Sequence, residues 1–384
     1  MTENVVVLGS GYAGAGAIKS LQSELDETAR LTWISDTDYH LVLHESHRVV
    51  RDPSVRADIT IPVADIADPR TRFITDTVTG LDTEERVVEL ADGEDVEYDY
   101  VLVALGSSTA YYGIPGLAEH SLTLKSLDDA LEINEQITEA SRDATRGEPA
   151  QVVIGGAGLS GIQTAGEIAA FRDENRAPLE IHLVEALDEI FPGNDPEIQQ
   201  ALRDLLEEAG VRIHTDDPIT EAEDGVIHFD EGDPLEYDVF VWTGGITGRE
   251  ALDGTDLENQ HNRVEAKANF RTSDERVFAI GDSAIVDQGS QPAPPTAQAA
   301  WQAAEVVGEN IARAIDNRPL KTWEYDDKGT VVSVGDEAVA HGVKMLPVDT
   351  FGGFPAKNLK KLIAARWIAD LTSWNRARKA WSVL

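Results

Sequence analysis

The stretch Val5-Val6-Val7-Leu8-Gly9-Ser10-Gly11-Tyr12-Ala13-Gly14 decides the fold, because it runs a β-branched segment into a Gly-x-Gly-x-x-Gly turn and then into a helix-forming segment. The pattern returns as Val152-Val153-Ile154 followed by Gly156-Ala157-Gly158-Leu159-Ser160-Gly161. The glycines permit a tight turn, close approach of backbone to a pyrophosphate, and close packing of helix on strand. The helix N-terminus adds unpaired N–H groups and a partial positive charge. One such turn is weak evidence, whereas two in strand-turn-helix context predict two dinucleotides bound by one polypeptide.

In this motif the second strand ends in a carboxylate that accepts hydrogen bonds from an adenosine ribose, roughly 20 residues beyond the glycines. Ile181-His182-Leu183-Val184 ends in Glu185, and Ala186, Leu187, Asp188 and Glu189 follow without a nearby Arg or Lys. That acidic surrounding repels a 2′-phosphate and accepts from a 2′-hydroxyl, so NADH is expected in preference to NADPH. In the first copy Leu31-Thr32-Trp33-Ile34 ends in Ser35 and then Asp36. Asp36 is the expected ribose ligand, since a carboxylate accepts more than a hydroxyl does; the other reading is a solvated turn residue.

The 384 residues suffice for two or three domains. Acidic side chains outnumber basic ones 70 to 32, giving a formal charge of −38, which excludes a nucleic-acid partner because phosphates would be repelled. Acid spread over the whole length resembles the proteins of salt-loving microbes, where a Debye length of about 3 Å at molar salt screens the self-repulsion. The chain contains no cysteine, which removes disulfides, thiolate metal sites, iron–sulfur clusters and dithiol reductase mechanisms. No signal peptide and no apolar run of membrane-spanning length is read, so a cytoplasmic location is expected.

The expected fold is α/β, with two Rossmann-like dinucleotide-binding domains plus a C-terminal amphipathic helical segment. A first domain covers residues 1–116 and resumes at 263–322, where Arg276-Val277-Phe278-Ala279-Ile280-Gly281-Asp282 reads as a buried strand returning to it. Residues 117–262 form the second domain, closing on Val239-Phe240-Val241-Trp242-Thr243-Gly244-Gly245, and residues 323–384 form the terminal segment. A helix over about 296–315 and a strand pair near 329–341 are expected.

With these features in hand, the chain resembles the flavoproteins with two dinucleotide-binding domains, and within them the type II NADH dehydrogenases, single-subunit NADH:quinone oxidoreductases. Asp38-Tyr39-His40, Gly113-Ile114-Pro115-Gly116-Leu117, Lys125-Ser126-Leu127 before Asp129-Ala130, and Phe278-Ala279-Ile280-Gly281-Asp282 carry the likeness, in the family's order. The resemblance implies non-covalent FAD on Gly9, Gly11, Tyr12, Ala13 and Gly14, with Asp36, Gly106, Gly281 and Asp282 completing that site. It implies NADH as co-substrate on Gly156, Gly158, Leu159, Ser160 and Gly161, with Gln163, Glu185 and Gly245. The family's Ala-Gln-x-Ala-x-Gln motif, beside the flavin ring and the quinone, corresponds to Ala297-Gln298-Ala299-Ala300-Trp301-Gln302. Hydride passes from NADH to FAD and two electrons then reach a membrane quinone, so no side chain is assigned as nucleophile and the candidates at the chemistry are Gln163, Gln298 and Gln302.

The chain departs from the family at Leu105, where a Thr is common, and at Gln163, where a Glu is common; a Gln hydrogen-bonds a carboxamide but carries no proton. His44, Glu45 and His47 stand in a segment that is usually apolar. They read as a surface or hydrogen-bonded feature rather than a metal site, and no metal is assigned; a bolder reading lets His44 or His47 protonate reduced quinone.

Residues 357–384 carry Lys357, Lys360, Lys361, Arg366, Arg376, Arg378 and Lys379 against Asp370 alone, with Leu359, Ile363, Trp367, Leu371 and Trp374 at helical spacing. This reads as docking on an anionic membrane surface, the enzyme lying peripherally on the inner face of the cell membrane, with a homodimer contact as the rival use of the segment. Two rival functions are a reductase of a small redox protein of the ferredoxin or rubredoxin type and a flavin- and NADH-binding sensor without turnover.

Overall fold

Both β-branched runs form strands buried on two faces, as parallel sheets covered by helices require. The computed structural model describes residues 2–26, 29–344, 346 and 348–384. Along the chain the elements that build the site are β1 (Glu3–Leu8), α1 (Tyr12–Glu24), β2 (Ala29–Ser35), α2 (His47–Arg51), β3 (Thr71–Thr75), β4 (Tyr100–Val103) and α3 (Leu127–Asp143). They continue with β5 (Ala150–Gly155), α4 (Leu159–Asn175), β6 (Leu179–Val184), β7 (Val211–His214), β8 (Val239–Trp242), β9 (Val277–Ala279) and α5 (Ala297–Ile315). The last are β10 (Thr330–Val334), β11 (Glu337–His341), β12 (Thr350–Gly352), α6 (Phe354–Leu371) and α7 (Trp374–Ala380).

One parallel sheet has the order β9-β4-β1-β2-β3 and a second the order β7-β6-β5-β8. In each, the strand before the glycine turn is central and the strand carrying the ribose position lies beside it, so both turns open at a point where strand order reverses, the usual binding crevice of such sheets. The strand at Val277–Ala279 joins the first sheet at its edge, pairing with β4. The Lys125-Ser126-Leu127 signature is a helix start: Ser126 Oγ accepts from Asp129 N at 3.0 Å and the Asp129 carboxylate accepts from Ser126 N at 3.1 Å, a capping box opening α3.

The terminal segment is a three-stranded antiparallel sheet, β10-β11-β12, followed by α6 and α7. The expected apolar stripe of the tail is split: Trp367 and Leu371 are each 1 % exposed, with Ala356, Ala364, Ala365 and Ile368 buried beside them, whereas Leu359 is half-buried and Ile363 and Trp374 face outward. Trp367 stacks on Tyr12 of the first glycine turn, meets Trp301 of α5 edge-on, and donates Nε1–H to His40 Nε2 at 2.8 Å. Burying an indole with a hydrogen-bond partner contributes more than leaving it at a wet surface. The exposed side of the segment is instead Phe354, Leu362, Ile363, Trp374 and Trp381, interspersed with Arg366, Arg378 and Lys379.

Candidate active site

The two glycine turns are built alike. Gly9 and Gly156 have φ of +101° and +89°, and a Cβ on either would overlap backbone across the sheet, at Ala104 and at Gly244. A Cβ on Gly14 or Gly161 would overlap the carbonyl of the first glycine, so these positions set how closely the helix approaches the strand. The middle glycines differ: a Cβ on Gly11 or Gly158 would meet nothing within 4 Å. Each middle glycine is also the N-cap of its helix, with no side-chain cap and no acid in the first turn, which leaves the first N–H groups available to an anion. A dinucleotide pyrophosphate fits both places.

Register identifies the ribose positions. Leu8 pairs with Ile34 and Gly155 with Val184, so Ser35 and Glu185 occupy the same place in the two halves. The Glu185 carboxylate accepts from Ala157 N at 2.8 Å and Leu187 N at 3.1 Å, which fixes it against the second turn. Ser35 Oγ donates to Ser10 Oγ at 2.8 Å in the first turn, while Asp36 lies one residue further on and is exposed. Asp282 lies past the end of β9, where its carboxylate accepts from Ser107 Oγ at 3.1 Å, and Gly281 (φ +70°) sits against Ala13 and Ala300. Gly106 (φ +75°) has open space where a Cβ would be, and Gly245 (φ +77°) lies under the Tyr112 ring. Ala13 is buried, whereas Leu159 and Ser160 are exposed at the second turn.

Where the two halves and the terminal segment meet, the chain buries a polar cluster. Gln163, in the second turn of α4, is 4 % exposed and donates Nε2–H to Ser333 Oγ at 3.1 Å. Lys360 of α6, also 4 % exposed, donates to the same oxygen at 2.6 Å. With both its lone pairs engaged, the Ser333 hydroxyl proton is left for His47 Nε2 at 3.2 Å, and Lys360 Nζ lies 3.1 Å from that nitrogen. His47 therefore acts as an acceptor and is neutral, in keeping with burial that drives its pKa well below the ordinary value.

Two carboxylates serve this cluster differently. Glu45 is fully buried and is held by Arg48 Nε at 2.5 Å and Lys360 Nζ at 3.7 Å. Burial would raise its pKa, but Lys360 and Arg48 overcome it and hold the carboxyl at about 2. Glu167, one turn beyond Gln163 on α4, is 1 % exposed, and neither of its oxygens has a hydrogen-bond partner among the described residues. Its neighbours are Arg51 Nε at 3.6 Å, with Arg48 Nη1 and His47 Nε2 each at 3.9 Å. Burial raises its pKa against the pull of Arg48 and Arg51. His44, hydrogen-bonded to the Tyr12 hydroxyl, is pushed down to about 4 by burial with Lys360 and Arg48 adding to it. His47 is thus interior and His44 21 % exposed, both are hydrogen-bonded as one of the sequence readings has it, and burial works against the protonated form that the quinone-protonating reading needs.

Gln298 and Gln302 do something the sequence does not suggest. Gln298 donates to Gly329 O at 3.2 Å and accepts from Lys328 N at 2.7 Å; Gln302 donates to Asp326 O at 2.9 Å and accepts from Asp326 N at 3.0 Å. Each amide imitates a backbone strand partner, and together they clamp the 326–329 loop that leads into β10 and Ser333. Sequence reasoning alone does not assign Glu45, Arg48, Glu167, Ser333 or Lys360 to the site. The available signal for Lys360 is its spacing, four residues from Ala356 and from Ala364 on the inward line of α6.

Residues 3–304 match the pyridine nucleotide-disulphide oxidoreductase family. The chain belongs to that family. It is an oxidoreductase, and having no cysteine it does its redox work without a dithiol. A curated relative from Staphylococcus saprophyticus, named type II NADH:quinone oxidoreductase, is 28 % identical over 390 residues, 96 % of either chain. Among solved structures, NDH2 from Plasmodium falciparum in complex with NADH superposes with a TM-score of 0.85 at 16 % identity, covering 100 % of this chain and 97 % of that one. The sulfide:quinone oxidoreductase of Aquifex aeolicus superposes at 0.80 with 19 % identity, covering 97 % and 92 %. These two likenesses establish the fold.

Proposed function

We propose that this chain is an FAD-dependent NADH:quinone oxidoreductase. The observation that carries the reading is the pair of glycine turns, each with a middle glycine whose outer face is open and whose helix N-terminus has no side-chain cap. It is supported by full-length relatives that bear that activity in their name. FAD, held non-covalently by Gly9, Gly11 and Gly14 with Asp282, supplies the two-electron chemistry. Gly156, Gly158 and Gly161 receive the NADH pyrophosphate. Glu185, anchored by two backbone N–H groups, accepts from the ribose hydroxyls and repels a 2′-phosphate. Gln163 orients the carboxamide end of the substrate, and the interlocked Trp301, Trp367 and Tyr12 rings hold the terminal segment against the first glycine turn.

The exposed face of Phe354, Leu362, Ile363, Trp374 and Trp381, ringed by Arg366, Arg378 and Lys379, docks on an anionic membrane, which brings a lipid-soluble quinone within reach. No helix among the described residues is long and apolar enough to cross a membrane. A basic face attracts any acidic partner, and it is the exposed Phe354, Leu362, Ile363, Trp374 and Trp381 side chains beside it that suit anionic lipid, whose apolar interior receives them. In a protein that works at high salt the aromatic rings do most of the holding, since each basic residue contributes only about 1 kcal/mol at ordinary ionic strength and salt screens that further. The testing experiment is steady-state NADH oxidation with a water-soluble quinone. One quinol per NADH is expected, with NADPH a poor substrate. Oxidation that needs a ferredoxin and ignores quinone refutes the reading.

A further inference from the structure

Outside the dinucleotide turns, the most unusual group in the molecule is Glu167: a buried carboxyl, beside three cationic side chains, with neither oxygen hydrogen-bonded among the described residues. We propose that Glu167 is a proton-holding residue of this enzyme, which shares a proton with Lys360 beside His47 and delivers it to the acceptor half-reaction. This rests on the quinone reading and extends it. Glu167 Oε1 lies 3.9 Å from His47 Nε2, and Lys360 Nζ lies 3.1 Å from the same nitrogen.

The surroundings are consistent with a mobile proton. The groups acting on Glu167 are His47, Arg48 and Arg51 from α2, Glu45 from the turn before it and Lys360 from α6, while Glu174 on its own helix and Asp336 in the β10–β11 turn pair with Arg51. Glu45 is held as a permanent carboxylate by its two cations, so it balances charge and does not exchange. Glu167 and Lys360 are the groups that burial pushes toward neutrality from opposite directions, the carboxyl upward and the amine downward. The way out to water is short: Arg51 Nε touches Glu167 at 3.6 Å and Glu174 at 3.6 Å, and its Nη1 meets Asp336 at 3.0 Å, both of these acids being more than half exposed.

The balance is simple. A quinone becomes a quinol by gaining two electrons and two protons, and a hydride accounts for the electrons and one proton. The second proton leaves the Glu167–Lys360 pair, an O–H or N–H bond breaking as the quinol O–H forms, and the pair regains a proton from solvent that reaches it beside Arg51, whose guanidinium stays charged and relays none itself. Gln163 cannot supply it, since an amide holds no exchangeable acid proton at these pH values.

Two measurements test the proposal. In cofactor-free protein, an infrared pH titration should show a buried carboxyl that ionises well above the usual carboxylate range. Lys360→Gln should move that midpoint upward by at least about one pH unit, because it removes a neighbouring cation. In the loaded enzyme, rapid mixing should show that Glu167→Gln slows the quinone step about a hundredfold below neutral pH and flattens its pH dependence, with NADH oxidation by the enzyme changed less than about twofold. A purely structural Glu167 would slow both steps together and keep the shape of the profile, which overturns the proposal, as does a carboxyl that ionises in the ordinary range. Failure of wild-type enzyme to reduce quinone would instead refute the functional reading and leave the infrared result standing. Should Glu167→Gln not fold, the wild-type titration and Lys360→Gln still decide.

Discussion

Gly158→Ala separates folding from binding more cleanly than any other single change. Gly158 has φ −75°, ordinary for an L-residue, and its added methyl would touch no atom within 4 Å. At an N-cap the exchange of Gly for Ala costs about 0.5–1 kcal/mol, offset by about 0.4–1 kcal/mol from a stiffer unfolded chain, so thermal stability should be unchanged within about 1 kcal/mol. The same methyl stands where a pyrophosphate must approach the backbone. Pushing that anion off the helix N-terminus forfeits one or two charge-assisted hydrogen bonds of about 1.5–3 kcal/mol each, a ten- to hundredfold or greater loss of NADH affinity. Gly156→Ala is the contrast, since φ +89° and the overlap with Gly244 should lower stability itself. Thermal unfolding together with the KM for NADH reads both. Gly158→Ala with unaltered KM would refute the assignment of the open face to NADH, and a large drop in melting temperature would refute the claim that nothing lies against it.

Other outcomes follow from the same geometry. Gly11→Ala should leave the fold intact and release FAD on desalting, read from the absorbance that stays with the protein. Glu185→Ser should raise the KM for NADH about tenfold while improving NADPH, because it removes the repulsion of a 2′-phosphate. His40 and His44 bind a proton more weakly in the fold (about 4) than in the unfolded chain (6.5), so the stability they confer is whole above pH 6.5 and drains as pH falls toward 4. The loss should reach about 3 kcal/mol each in high-salt acid titrations followed by circular dichroism, and a protein equally stable at pH 7 and pH 4.5 would contradict it. Replacing Phe354, Trp374 and Trp381 together by Ser should abolish co-sedimentation with anionic liposomes while sparing turnover of a soluble quinone.

The legible parts of the molecule are those with local causes. A β-branched run, a glycine turn and a helix are contiguous in sequence, so the two sheets, α5 over Ala297–Ile315 and the β10–β11 hairpin can be read from residue order alone. The tail misleads because the same spacing of apolar residues serves a stripe that faces lipid and one that faces the protein's own core. Trp367 and Leu371 take the core because Tyr12, His40 and Trp301 offer ring faces and a hydrogen-bond acceptor there. Lys360 looks like its basic neighbours in sequence, and only the fold reveals that Gln163, Ser333 and His47 converge on it from distant stretches of chain. Deleting the tail would therefore remove part of the buried polar cluster along with the exposed basic and apolar face, which is why point changes on the exposed side are the proper test of docking.

In the proposed function one chain takes electrons from NADH and gives them to quinone through bound flavin. Anaerobic rapid mixing at high salt tests it most directly: the yellow protein is mixed with NADH, then with a soluble quinone, while flavin absorbance is followed. Rapid bleaching by NADH, much slower bleaching by NADPH, and return of the colour on adding quinone are expected. A flavin that bleaches but stays bleached in quinone, or one that NADH leaves untouched, would contradict it.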